Sequence, residues 1–121
     1  MKKILFVASE CVPFIKTGGL ADVVGSLPKY LNKEEFEVRV ILPKYLAIKD
    51  EYKSQMTYKT HFYIDLAWRR QYVGIQELEY EGIKFYFIDN EFYFAGSKPY
   101  GEIYEDIEKF AFFSKAVLSI L

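Results

Sequence analysis

The chain opens with a strand, a loop and a pair of glycines leading into a helix, an order that few folds accommodate. Lys3-Ile4-Leu5-Phe6-Val7-Ala8 is a nearly unbroken apolar run, as expected of a strand buried on both faces of a parallel sheet. Ser9-Glu10-Cys11-Val12-Pro13 breaks it, and Lys16-Thr17-Gly18-Gly19-Leu20-Ala21-Asp22-Val23 follows. Leu20, Val23, Val24, Leu27 and Leu31 recur at helical spacing. This predicts an amphipathic helix from about residue 20 to 32, kinked at Pro28. The arrangement suits an anion. A helix N-terminus presents unpaired N–H groups and the positive end of its dipole. Glycine admits a phosphate without a Cβ in the way, or supplies a positive φ, and Lys16 adds a full charge. The plainer alternative is an ordinary turn beside a surface lysine. Asp22 also has two readings: an acid favoured by the dipole of the first helical turn, or a residue of a substrate cleft. Thr17 either caps the helix or orients the loop.

Downstream, the pattern is α/β with an interruption. Phe36 to Leu42 reads as a second strand ended by Pro43, and residues 44 to 54 as loop with a short helical turn. Phe62, Ile64, Leu66 and Trp68 then alternate with Tyr63, Asp65, Ala67 and Arg69, a period of two. A further strand covers Tyr72 to Tyr80, and its apolar phase slips at Gln76-Glu77, which predicts a bulge. Glu81-Gly82 is a turn before the strand Ile83 to Ile88. Short connections imply antiparallel neighbours, so the segment reads as an inserted hairpin feeding Ile83 to Ile88 back into a mainly parallel sheet. A loop with Gly96, Pro99 and Gly101 precedes a helical pattern of Ile103, Ile107, Phe110, Ser114, Val117, Leu118 and Leu121. No stop signal closes that helix, so the expectation is a piece of a larger domain.

Composition excludes several functions. Among 121 residues, 16 basic and 17 acidic side chains give a net charge of −1, with no basic surplus for nucleic acid or an anionic membrane. No apolar run approaches the roughly 18 residues of a membrane span. The single cysteine, Cys11, has no internal disulfide partner, which points to a reducing cytoplasm. With the strand starting at residue 3, the expectation is that there is no signal or transit peptide. His61 has no second His or Cys at ligand spacing, so zinc is not expected. Aromatic content is 19%, and most rings fall in strand patterns where packing explains them. Trp68-Arg69-Arg70 reads as a hairpin tip with solvated arginines in preference to a cation–π or ligand platform. There is no Gly-x-Gly-x-x-Gly and no P-loop. A receiver domain of similar length would need clustered acids after the first strand, where Ser9-Glu10-Cys11 stands.

The segments Ile4 to Phe14 and Lys16 to Val23 resemble the N-terminus of bacterial glycogen synthases and plant starch synthases. The similarity extends to Gly25-Ser26-Leu27-Pro28, Val38 to Pro43 and Phe85 to Asn90. The resemblance implies residues 1–121 of a Rossmann-like GT-B N-terminal, acceptor-side domain, without the C-terminal nucleotide-binding domain. It also implies a cytoplasmic enzyme that transfers glucose from ADP-glucose to the non-reducing end of an α-1,4-glucan with retention, without metal or other cofactor. The substrate-binding residues so implied are Lys16, Gly18, Gly19, Asp22 and Tyr93, with Lys16 on the nucleotide-sugar phosphates. The catalytic residues are implied beyond Leu121, which makes this piece inactive alone. Asp89-Asn90 falls at the carboxyl end of a strand, where open α/β sheets bind ligands. Tyr93 matches a substrate-side tyrosine, although Phe94-Ala95 stands where the family often carries Asp-Arg. The alternative function is a non-catalytic nucleotide-sugar-binding or flavodoxin-like signalling module.

Overall fold

The computed structural model describes residues 1–31, 33–95, 100–101 and 103–120. Its elements run β1 (Lys2–Val7), α1 (Gly19–Tyr30), β2 (Phe36–Pro43), α2 (Asp50–Lys53), β3 (Thr57–Leu66), β4 (Arg69–Tyr80), β5 (Ile83–Asp89), α3 (Glu91–Phe94) and α4 (Ile103–Ile120). Gly96, Pro99 and Leu121, which the sequence reading places in a loop and at a helix end, lie outside the described residues.

One five-stranded sheet has the order β1-β2-β5-β4-β3. β1, β2 and β5 are parallel, with Val7 opposite Ile41 and Pro43 opposite Ile88. The β3–β4 hairpin adds antiparallel strands at the β5 edge, as the period-two pattern predicts. Its tip is Ala67-Trp68, and Ala67 has a φ of 56°, so Trp68 caps the hairpin instead of extending β3. The register irregularity lies where the apolar phase slips, but on the opposite strand. Tyr58 pairs with Gln76 and Thr60 with Ile75, so the extra residue is Lys59 of β3.

The core centres on Val40, Ile41, Leu42, Phe87 and Ile88, all 1% exposed or less. Phe14, from the loop after β1, meets Tyr52, Tyr80, Phe85 and Phe87 edge-on at 4.9–5.6 Å. Elsewhere in the core, Phe112 of α4 stacks on Tyr93 at 4.7 Å, beside Phe94.

Both long helices turn a different face inward than their apolar spacing suggests. In α1 the buried residues are Ala21, Val24, Gly25 and Pro28, whereas Leu20, Val23 and Leu27 are exposed. In α4 they are Lys109, Phe112, Phe113, Ala116 and Val117, with Ile107 and Leu118 outside. Small residues win the inner face of α1 because the helix sits close against backbone. A Cβ on Gly25 would lie 2.3 Å from Val12 Cγ2 and 2.9 Å from the Val12 carbonyl oxygen.

Candidate functional site: the loop between the first strand and helix

The loops after β1, β2 and β5 gather at the carboxyl end of the parallel strands, the ligand end of an open α/β sheet. Hydrogen bonds tie them together. Ala8 N–H donates to Ile41 O, Lys44 N–H to Ile88 O, and the Tyr45 hydroxyl to Ser9 O at 2.7 Å. The Tyr100 and Ser9 hydroxyls also meet, so Tyr100 touches the β1 loop.

Within the loop, Cys11 and Ile15 form a bridge, Val12 N–H donates to Ala21 O, and the buried Phe14 ring pins the chain to the core. The Cys11 thiol is fully buried, and burial pushes its pKa up to about 12. It stays a neutral thiol, unsuited to act as a nucleophile.

Glu10 organises the next stretch. It is 2% exposed, and its Oε2 accepts from Thr17 N–H at 2.7 Å and from Thr17 Oγ1 at 2.5 Å. Thr17 therefore orients the loop and does not cap the helix. The N-cap is Gly18, without a side-chain hydrogen bond. The first N–H groups of α1 are thus left to a ligand or water. Sequence reasoning passed over Glu10. The available signal was an acid set between Ala8 and Cys11, both of them core residues.

Lys16 reaches forward over this helix end. Its Nζ contacts Asp22 Oδ1 at 2.9 Å and Oδ2 at 2.7 Å, each side chain about half exposed. Lys16, Gly18, Gly19 and Asp22 are therefore brought together at one helix terminus. Gly18 has φ −161°, an extended backbone open to any residue, so the positive-φ reason for glycine does not apply. Among the described residues, a Cβ there would meet only Glu10 Oε1 at 3.8 Å, and one on Gly19 would meet nothing within 4 Å. Among the same described residues, the space above both glycines is open.

Tyr93 is placed apart from this group. It is 8% exposed, lies against Phe112, and its hydroxyl has no partner among the described residues. Burial, with Glu108 nearby, pushes its phenol above the usual range. Asn90 is committed to structure, accepting from Tyr93 N–H at 3.1 Å and donating to Tyr72 O at 2.9 Å.

The family model for the starch synthase catalytic domain matches residues 3–121. Glycogen synthase of Lachnoclostridium phytofermentans is 73% identical over the whole chain, and that of Lachnospira eligens 71%. The chain spans about a quarter of the length of each of these relatives. The catalytic domain of starch synthase IV from Arabidopsis thaliana, solved with ADP and acarbose, superposes with a TM-score of 0.78 at 28% identity. That match covers 99% of this chain and 25% of the plant one. With the family model matched from residue 3 to residue 121, the chain belongs to the starch synthase catalytic domain family.

Proposed function

We propose that this chain is the acceptor-side part of a cytoplasmic glycogen synthase. The whole protein would move glucose from ADP-glucose to the non-reducing end of an α-1,4-glucan, retaining the anomeric configuration. The observation that carries this reading is Lys16, held by Asp22 beside two glycines at an uncapped helix N-terminus. Backbone N–H groups and a lysine converge there on open space, which suits the phosphates of a nucleotide sugar. The departing group is a nucleoside diphosphate, so a fixed cation also stabilises the charge that grows as the glycosidic bond breaks. Asp22 keeps Nζ over the helix end, and a bound phosphate shares that ammonium group. Glu10 sets the path of the loop through Thr17. Tyr93 anchors α3 on Phe112 of α4. A cytoplasmic location fits the free, buried Cys11 thiol. Glucosyl transfer in a two-domain enzyme of this kind takes place in a cleft closed by both domains, so the 121 residues alone are expected to turn over no ADP-glucose.

Kinetics of the whole protein test the assignment. Lys16→Ala is expected to lower kcat/KM for ADP-glucose roughly ten- to a hundredfold, or about 1.4–2.7 kcal/mol. Lys16→Arg restores it only in part, because a planar fork replaces a point charge. Gly19→Ala leaves the melting temperature intact, since its methyl group meets no atom of the described residues within 4 Å, yet weakens nucleotide binding. Wild-type kcat/KM in Lys16→Ala would sink the assignment.

A further inference from the structure

Where the chain leaves β1, a side chain from another loop sets its direction. Ala8 N–H still donates to Ile41 O of β2, but the next carbonyl, that of Ser9, accepts from the Tyr45 hydroxyl at 2.7 Å. Ser9 stands immediately before Glu10, whose carboxylate holds Thr17 next to Lys16. The Tyr100 hydroxyl meets the Ser9 side chain, whereas Tyr45 holds the Ser9 backbone.

Tyr45 itself has little freedom. On one side of it Lys44 N–H donates to Ile88 O at 2.8 Å, and on the other Leu46 N–H donates to Phe94 O at 2.9 Å. Its ring is fully buried, meets Phe94 edge-on at 5.7 Å and lies 5.9 Å from Nζ of Lys109. Lys109 in turn stands 3.4 Å from Asp106, one turn earlier in α4. β5, α3 and α4 therefore all bear on the placement of one phenol. Burial, with Tyr100, Glu10 and Asp106 nearby, pushes that phenol well above the usual range. It stays protonated and keeps donating.

Packing alone does not require the hydroxyl. Phenylalanine would fill the same space, and burying an O–H is unfavourable unless it is bonded. We propose that Tyr45 is a positioning residue for the nucleotide-sugar phosphates. Its hydroxyl fixes Ser9, and through Glu10 and Thr17 it fixes where Lys16 stands over the helix end. Tyr45 acts through that loop and not on the substrate. A cation set slightly off a developing charge stabilises it less, because the interaction falls with distance. The role rests on the assignment of the Lys16 loop in the preceding section.

A double-mutant cycle in the whole protein tests this, read as kcat/KM for ADP-glucose. Tyr45→Phe keeps the ring for Phe94 and Lys109 and removes only the hydroxyl. It is expected to lower kcat/KM roughly three- to tenfold, the span of one buried hydrogen bond, with KM for the glucan acceptor unchanged. In a Lys16→Ala background the same substitution should cost less than about twofold, because the cation that it displaces is gone. A residue that only supports the fold would lower the melting temperature and show no such coupling to Lys16. Wild-type kcat/KM in Tyr45→Phe, or an undiminished loss in the Lys16→Ala background, would overturn the proposal. In either case a defective Lys16→Ala leaves the loop assignment standing. Wild-type kcat/KM in Lys16→Ala would instead sink the loop assignment, and the role of Tyr45 with it.

Discussion

Glu10 is a carboxylate in a place otherwise filled by core residues, and its cost and its use can be weighed separately. Burying a charge is unfavourable unless hydrogen bonds replace its hydration. Two bonds from Thr17 do so on one oxygen, each worth about 1.5–3 kcal/mol when charge-assisted. Thr17 itself is exposed, so water can replace Glu10 as its partner. Glu10→Ala is therefore expected to alter global stability little and loop order much. Hydrogen exchange at the Thr17 amide should speed by about tenfold or more, the equivalent of one lost bond. Glu10→Gln, which keeps an acceptor oxygen, should fall between wild type and Glu10→Ala. An unchanged Thr17 exchange rate in Glu10→Ala would remove this residue from the loop's construction.

At the scale of elements, α1 shows most clearly how packing overrides pattern. Gly25 touches the Val12 side chain and carbonyl so closely that Gly25→Ala should cost about 1–3 kcal/mol, seen as a lowered thermal midpoint. The hairpin offers a second test, through charge. Glu77 of β4 lies 3.0 Å from Lys84 of β5 and 3.2 Å from Lys59, the bulge residue of β3. Hydrogen bonding to Lys84, then to Lys59, holds its carboxyl below the usual range against the opposing effect of burial. A depressed carboxylate stabilises the fold above its unfolded pKa, and that stability is lost as pH falls through the folded value. Glu77→Gln should therefore melt earlier than wild type at pH 7. The gap should close as pH falls below about 4. These elements were largely legible beforehand. The strand runs, the hairpin and the glycine pair follow from period and composition, because two-sided burial and antiparallel pairing leave local marks. The inner faces of α1 and α4 were not; in α1, Gly25 is set by the Val12 side chain and carbonyl that it meets across the loop, which no helical period encodes. Lys16, Gly18, Gly19 and Asp22 were legible as neighbours in sequence. Glu10 was marked only by its setting between Ala8 and Cys11, because its partner lies seven residues away across a loop whose path no periodicity encodes.

For the molecule as a whole, the unexpected helix faces leave an apolar surface. Leu20, Val23, Leu27 and Tyr30 form a stripe along α1, 43–85% exposed, and β1 is the sheet's edge strand, paired only with β2 among the described residues. Contiguous apolar surface next to an open strand edge favours association. The isolated 121-residue chain is thus expected to self-associate in sedimentation velocity, more strongly as concentration rises. Val23→Glu, at a position 56% exposed, should shift it toward monomer without lowering its melting temperature. A wild-type chain that sediments as a monomer throughout would count against the stripe as an adhesive surface. The hairpin tip has a consequence of another kind, for how any of these melts is observed. Trp68 is the chain's single tryptophan and is 85% exposed, with the Arg69 guanidinium 4.9 Å from its ring centre. Indole emission will already be that of a hydrated fluorophore in the native state, so unfolding will barely move it. The optical signal of cooperative melting lies instead in the buried tyrosines, Tyr45 and Tyr93, and in the backbone's far-ultraviolet dichroism.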